Sequence, residues 1–190
     1  MKLRGTLAAA AACLSLCLPC TPAAAAPVNL ATVTCQKYQN EIVGPNSASS
    51  QDPINLVMWL FGYSVAKSGA KSMYGDALAS FGFALDAECK NNPNEVLMEA
   101  LGKVKINEKN PMDLTGLDCN TFLQRHLEME KKDHEGADTI MMWLFGFSVG
   151  KNDGHVMVTD DIRNFEGKFA AECKKQPERS LYETLVGLRI

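Results

Sequence analysis

The chain has 190 residues, 46% of them hydrophobic and 22% charged, with a formal charge of −3 at pH 7. That balance excludes a disordered or fibrous chain and predicts a globular one. The mild acidity also argues against nucleic acid as a partner, because phosphate contacts need clustered Lys and Arg.

The first stretch reads as an address rather than as fold. Lys2 and Arg4 precede an apolar run, Leu7 to Leu18, which is too short to span a bilayer, and Pro19, Pro22 and Ala23 to Ala26 follow. This is the pattern of a secretory signal peptide over residues 1–25. Cleavage is expected after Ala25, since cutting after Ala26 would set Pro27 beside the scissile bond. A lipid anchor fits less well: none of Cys13, Cys17 and Cys20 has both a Leu three residues earlier and a small residue just before it. No later stretch reaches ~18 uninterrupted apolar residues, so stable membrane insertion is not expected.

Export changes the arithmetic. Without Lys2 and Arg4, 17 basic side chains face 22 acidic ones, a charge of −5, and seven cysteines become four: Cys35, Cys89, Cys119 and Cys173. An even number of cysteines in an exported chain, with no C-x-x-C pair, points to disulfides rather than zinc or redox chemistry.

The remaining sequence is written twice, with an offset of 84. Cys35 and Cys89 fall on Cys119 and Cys173, and no gap is needed between them. Met58-Trp59-Leu60-Phe61-Gly62-Tyr63-Ser64-Val65 faces Met142-Trp143-Leu144-Phe145-Gly146-Phe147-Ser148-Val149. Lys67, Met73, Asp76, Phe81 and Pro93 face Lys151, Met157, Asp160, Phe165 and Pro177. Chance does not give this, and internal duplication is expected. Two copies are too few for a solenoid, so each is nearly self-sufficient or the two pair. A copy of this size has a small core and needs extra stabilisation. Four cysteines allow three connectivities, and the identical spacing favours pairing within each copy. A loop of this length is worth ~4 kcal/mol in the chain-entropy picture.

In each copy a short helix follows a capping residue, Thr34 or Asp118, and takes in the first cysteine. Asp52-Pro53 opens a second helix that carries the Trp block and stops near Gly69. Its counterpart is expected from about Asp138 to Asn152. A third helix starts near Asp76 or Asp160 and holds Phe81, Leu85 and Cys89, or Phe165, Phe169 and Cys173. Pro93 and Pro177 break the chain and begin a last helix, with Val96, Leu97 and Leu101, or Leu181, Leu185 and Leu188. No alternating strand pattern appears. The expected fold is all-α: two tandem small four-helix modules, each stapled by one disulfide, over 27–103 and 113–190, with a linker over 104–112. Residues 27–103 carry 7 acids and 5 bases, and 104–190 carry 15 and 12. Much of the excess lies in Glu128 to Asp138, a loop or helix extension read as a solvated face.

Little in the chain suggests catalysis. His126, His134 and His155 are the only histidines, none has a counterpart in the first copy, and no zinc-protease, phosphate-loop or nucleophile-elbow motif is present. No catalytic residue, metal or cofactor is expected. The distinctive feature is the Trp helix, whose apolar residues cover more than one ~100° stripe. Trp59, Leu60, Phe61 and Tyr63, with Trp143, Leu144, Phe145 and Phe147, are therefore candidates for packing between the copies. The alternative reading of the same residues is an apolar surface covered in one state and exposed in another.

These segments carry a resemblance. Thr34 to Tyr38, Trp59 to Tyr63 with Lys67-Ser68-Gly69, and Cys89-Lys90-Asn91-Asn92-Pro93 resemble the HdeA/HdeB family of periplasmic acid-stress chaperones. So do Asp118 to Phe122, Trp143 to Lys151 and Cys173 to Pro177. The resemblance implies a protein folded as a dimer near neutral pH. In acid it dissociates, keeps its disulfide and, without ATP, binds acid-denatured periplasmic proteins through exposed apolar surface. Two modules in one chain depart from that pattern and suggest an intramolecular pseudo-dimer with the Trp59 and Trp143 helices at its seam. Full protonation of the carboxyls, with the three histidines charged, takes the exported chain to about +20; self-repulsion then opposes the compact state. The competing reading is a periplasmic or secreted non-catalytic binding module that docks one specific partner.

Overall fold

The computed structural model describes residues 28–44, 53–106, 109–157 and 161–188. The proposed signal peptide, the Asp52 cap and Asp160 lie outside the described residues. The fold is all-α with two disulfides, Cys35–Cys89 and Cys119–Cys173, each within one half of the chain.

In the first half, α1 (Cys35–Lys37) continues as a π-helical turn, Tyr38–Ile42. Then come α2 (Pro53–Ser68), α3 (Leu78–Asn91) and α4 (Leu97–Lys103). The second half repeats the order with α5 (Cys119–Lys132), α6 (His134–Lys151), α7 (Asp161–Lys175) and α8 (Leu181–Gly187). Thr34 and Asp118 cap α1 and α5 as expected, accepting from the N–H groups of Lys37 at 3.3 Å and Thr121 at 2.8 Å. Gly69 follows α2 with φ +84°, a backbone state that costs a glycine little.

Three expectations need correction. The second Trp helix starts at His134 rather than near Asp138, because the Asp133 carboxylate accepts from the Gly136 N–H at 3.0 Å and caps it there. The acid-rich stretch 128–138 is thus helical on both sides of a one-residue break. The last helix of each half begins at Leu97 or Leu181, not at the proline. The turn after each proline has another task. Carbonyls of Pro93 and Glu95 accept from the Gln36 and Cys35 N–H groups, and those of Pro177 and Arg179 from Asn120 and Cys119. The first N–H groups of a helix have no partner within it, and here the opposing turn supplies one beside each disulfide.

The third correction is the presence of strands. Four short ones occur among the described residues: β1 (Val28–Asn29), β2 (Ser72–Tyr74), β3 (Pro111–Asp113) and β4 (Val156–Met157). Segments of two or three residues leave no alternation to read. Pro111 and Met112, assigned to the linker, belong to β3. Both ladders cross between halves. β1 pairs antiparallel with β4, Val28 opposite Met157, and β2 pairs with β3, Met73 opposite Met112. These two registers are the same register displaced by 84.

Candidate functional site: the seam between α2 and α6

The most extensive helix contact among the described residues is between α2 and α6. All eight apolar candidates lie on these two helices and are buried. Trp59, Leu60, Trp143, Leu144 and Phe147 have no exposed surface, and Phe61, Tyr63 and Phe145 about 1%. Of these the seam itself joins the aromatic pairs. Trp59 meets Phe145 edge-on with centroids 6.2 Å apart, and Phe61 meets Trp143 edge-on at 6.4 Å. Each aromatic row is then backed by its own half: Phe61 on Phe81 at 5.0 Å and Phe145 on Phe165 at 5.1 Å.

Gly62 and Gly146 set how closely the helices approach. A Cβ on Gly62 would lie 2.0 Å from the Trp143 carbonyl oxygen, and one on Gly146 would lie 2.0 Å from that of Trp59. Backbone cannot yield to such an overlap, so only glycine fits. One turn further on, a Cβ on Gly150 would lie 2.8 Å from that of Ala66. These glycines were not singled out from the sequence. The signal was available: glycine inside a helix costs about 1 kcal/mol relative to alanine, so one at the same place in both Trp blocks implies a packing reason.

Polar links close one end of the seam. The Tyr63 hydroxyl lies 3.3 Å from His155 Nδ1, and Lys67 pairs with Asp153 at 2.5 Å. Lys67 holds the Asp153 carboxyl below the usual carboxylate range. Inside the seam the indole N–H groups of Trp59 and Trp143 are buried without a hydrogen-bond partner. A buried donor left unpaired costs roughly 1–3 kcal/mol, a cost that water would remove if the helices parted.

Each half also has a groove beside its Trp helix. In the first half it encloses about 410 Å³ among Tyr38, Val43, Val57, Leu78 and Phe83, with Phe83 77% exposed. The corresponding groove of the second half, about 270 Å³, is lined by His126, Glu130, His134, Asp138 and Glu166 together with Leu123 and Phe169. Burial holds the His126 imidazole below the usual histidine range, against the pull of Glu130 and Asp138. Burial, then the charges of Asp138 and Glu130, push the Glu166 carboxyl up. Among the described residues no group of three or more His, Cys, Asp or Glu side chains is placed to hold a metal ion. None of the described helices is long and apolar enough to cross a membrane.

The arrangement is that of a buried apolar contact. Cys35, Cys89, Cys119 and Cys173, the cysteines among the described residues, are consumed in disulfides. No curated protein and no solved structure matches the chain. The model of the HdeA/HdeB family matches residues 100–183, from within α4 to within α8, which supports this family for the second half of the chain.

Proposed function

We propose that this chain is a periplasmic, ATP-independent acid-stress chaperone whose two halves form an intramolecular pseudo-dimer. In this reading it parts at the α2–α6 seam in acid and holds unfolding proteins on the apolar surface so uncovered. The observation that carries it is the seam, where the fully covered rings of Trp59, Phe61, Trp143 and Phe145 meet, the two indole N–H groups being left unsatisfied. Support comes from the family match over residues 100–183 and from the swing in charge between neutral and acid solution. The Asp153–Lys67 pair at the seam adds a proton-sensitive link. Its carboxyl titrates below the ordinary value, so its stabilisation is complete above about pH 4 and is lost as pH falls through the depressed value. The disulfides limit how far each half can expand once parted.

Light scattering from an acid-denatured client tests this directly. Suppression of aggregation at pH 2–4 is expected, accompanied by a red shift of Trp emission and a larger hydrodynamic radius. Undiminished aggregation under those conditions excludes the chaperone reading. One observation favours the second reading, a non-catalytic binding module for one partner: the first-half groove presents Phe83 in the closed state. Saturable binding of a single partner at neutral pH, with no protection of clients in acid, would select it.

A further inference from the structure

The groove beside each Trp helix holds the same place in both halves, yet the two are lined by different chemistry. In the second half Glu130 on α5, Asp138 on α6 and Glu166 on α7 line one cavity. Their equivalents in the first half are Asn46, Ile54 and Gly82. The three carboxylates act on one another, since Asp138 and Glu130 both disfavour charge on the partly buried Glu166. Like charges gathered in a partly desolvated cleft are unfavourable unless something answers them. The basic groups nearby do so only in part. Lys174 also lines the cavity, Arg163 lies near Glu166, and His134 is 3.6 Å from Asp138. Among the described residues no Lys or Arg forms an ion pair with Glu130, Asp138 or Glu166. The first-half groove has one acid in its lining, Asp86, and it is already answered, by Lys90 at 2.6 Å and the Gln39 amide at 2.9 Å.

The rest of the cavity limits what can supply the missing charge. It is apolar along Leu123, Met141 and Phe169, the last two buried. His126, in the same lining, lies flat on Phe122 with ring centroids 5.7 Å apart, and its Nδ1 is buried without a hydrogen-bond partner. The acids and imidazoles are not placed to hold a metal ion, so a compact ion is poorly matched. An extended cation with an apolar flank is well matched. Its N–H donors can make charge-assisted bonds to the carboxylates, while its stem covers the apolar wall. A volume of about 270 Å³ has room for a side chain and its neighbour rather than for a folded partner. A guanidinium, with five donors in a planar fork, serves several carboxylates at once.

We propose that the second-half groove, with the seam closed at neutral pH, is a docking site for a basic, apolar peptide segment, led by an arginine whose guanidinium lies among Glu130, Asp138 and Glu166. The first-half groove is not such a site. This goes beyond the acid-chaperone reading and does not depend on it, because the seam stays shut.

The probe is acetyl-leucyl-arginine amide, titrated into the isotope-labelled chain at pH 7 and followed by amide chemical shifts. Saturable shifts confined to the second-half groove are expected, with a dissociation constant of about 1 mM for so small a ligand. The same peptide with citrulline for arginine keeps the shape and loses the charge, and should bind about tenfold more weakly. Glu166→Gln should weaken the arginine peptide by a similar factor without lowering the stability of the chain, since it removes a repelled charge. Asp86→Asn, in the other groove, should change nothing. No saturable shift up to about 10 mM, equal binding of the citrulline peptide, equal shifts at both grooves, or full binding by Glu166→Gln overturns the proposal. The citrulline comparison uses the unmodified chain, so the test survives a variant that fails to fold. Client protection is measured in acid, apart from these titrations, so failure of the chaperone reading and failure of this one are distinguishable.

Discussion

Matched positions in the two halves perform the same structural task with different chemistry. The Asn29 side-chain oxygen accepts from the Ala31 N–H at 3.0 Å, and in the second half Asp113 accepts from Thr115 at 2.8 Å. Thr34 caps α1 where Asp118 caps α5. Gly69 takes the left-handed position after α2, and Asp153 takes it after α6 with φ +56°. At each site the backbone needs only an acceptor or a permissive turn, so the local fold leaves the charge free to differ. The second half has an ionisable carboxylate at all three. Hydrogen bonds from Thr115 and from Thr121 hold the carboxyls of Asp113 and Asp118 below the usual range, as Lys67 does for Asp153. Depressed carboxyls stabilise the fold above their unfolded values, near pH 3.9, and cease to do so as pH falls through the folded ones. Acid therefore weakens the second half at positions where the first half has nothing to titrate.

The grooves differ in the same sense. Positions 54, 57 and 82 are Ile, Val and Gly in the first half, and their equivalents are Asp138, Met141 and Glu166. Glu166, with its carboxyl pushed up, works against the three aspartates. Its ionised form is disfavoured in the fold, so its penalty is present at neutrality and relieved as pH falls towards its unfolded value. His126 in the same groove acts the other way: its charged form is disfavoured in the fold, so stability is lost as pH falls from its unfolded value through the depressed one, and the two groove residues oppose each other in mild acid, before stronger acid removes the caps.

The largest expected effect is one that the comparison predicts to be equal. Trp59→Ala and Trp143→Ala remove fully buried indoles from equivalent places, each at about 3–5 kcal/mol. Values at the low end of that range are expected, because each substitution also removes an unpaired N–H group. Urea denaturation at pH 7 measures both. Values differing by more than about 1.4 kcal/mol, a factor of 10 in the folding constant, would mean the seam is supported mainly by one half.

How much of this was legible follows from the length scale of each signal. The disulfide pairing, the Trp helices and the break after each proline rest on residue types and spacings that a sequence displays outright. The ladders were not legible, because strands of two or three residues pair with partners in the other half, far away in sequence. The start of α6 was missed because Asp138 and Asp133 are both plausible caps by type, and the Gly136 N–H decides between them. The groove chemistry was hidden for a similar reason: His126 lies on α5, Asp138 on α6 and Glu166 on α7.

A middle-sized effect comes from exchanging the caps. Asp118→Thr gives α5 the cap of α1, and Thr34→Asp gives α1 the cap of α5. At pH 7 both variants should fold normally, since Thr and Asp both accept the required hydrogen bond. Below about pH 4, near the unfolded carboxyl value, Asp118→Thr should shift unfolding of α5 to lower pH, and Thr34→Asp should shift that of α1 to higher pH. Hydrogen exchange resolved by peptide, followed from pH 5 to 2, reads the two helices separately. If α1 and α5 respond alike in the native chain and in both variants, the acid response does not lie in the caps.

The smallest effect on stability concerns the groove that stays open. Phe83 is 77% exposed, while Gly167 holds its equivalent position. Little is gained from the burial of so exposed a ring, so Phe83→Ala should change stability by less than about 0.5 kcal/mol. The same ring lines the apolar groove beside Val57 and Leu78. Its loss should therefore lower the binding of a hydrophobic dye at pH 7, where the seam is closed, and, if the proposed opening occurs, leave the dye signal at pH 2 nearly unchanged. That pairing separates the groove from the seam as sources of apolar surface. An equal loss of dye at both pH values would place Phe83 within the surface that acid uncovers, and the two halves would then differ less in acid than they do at neutrality.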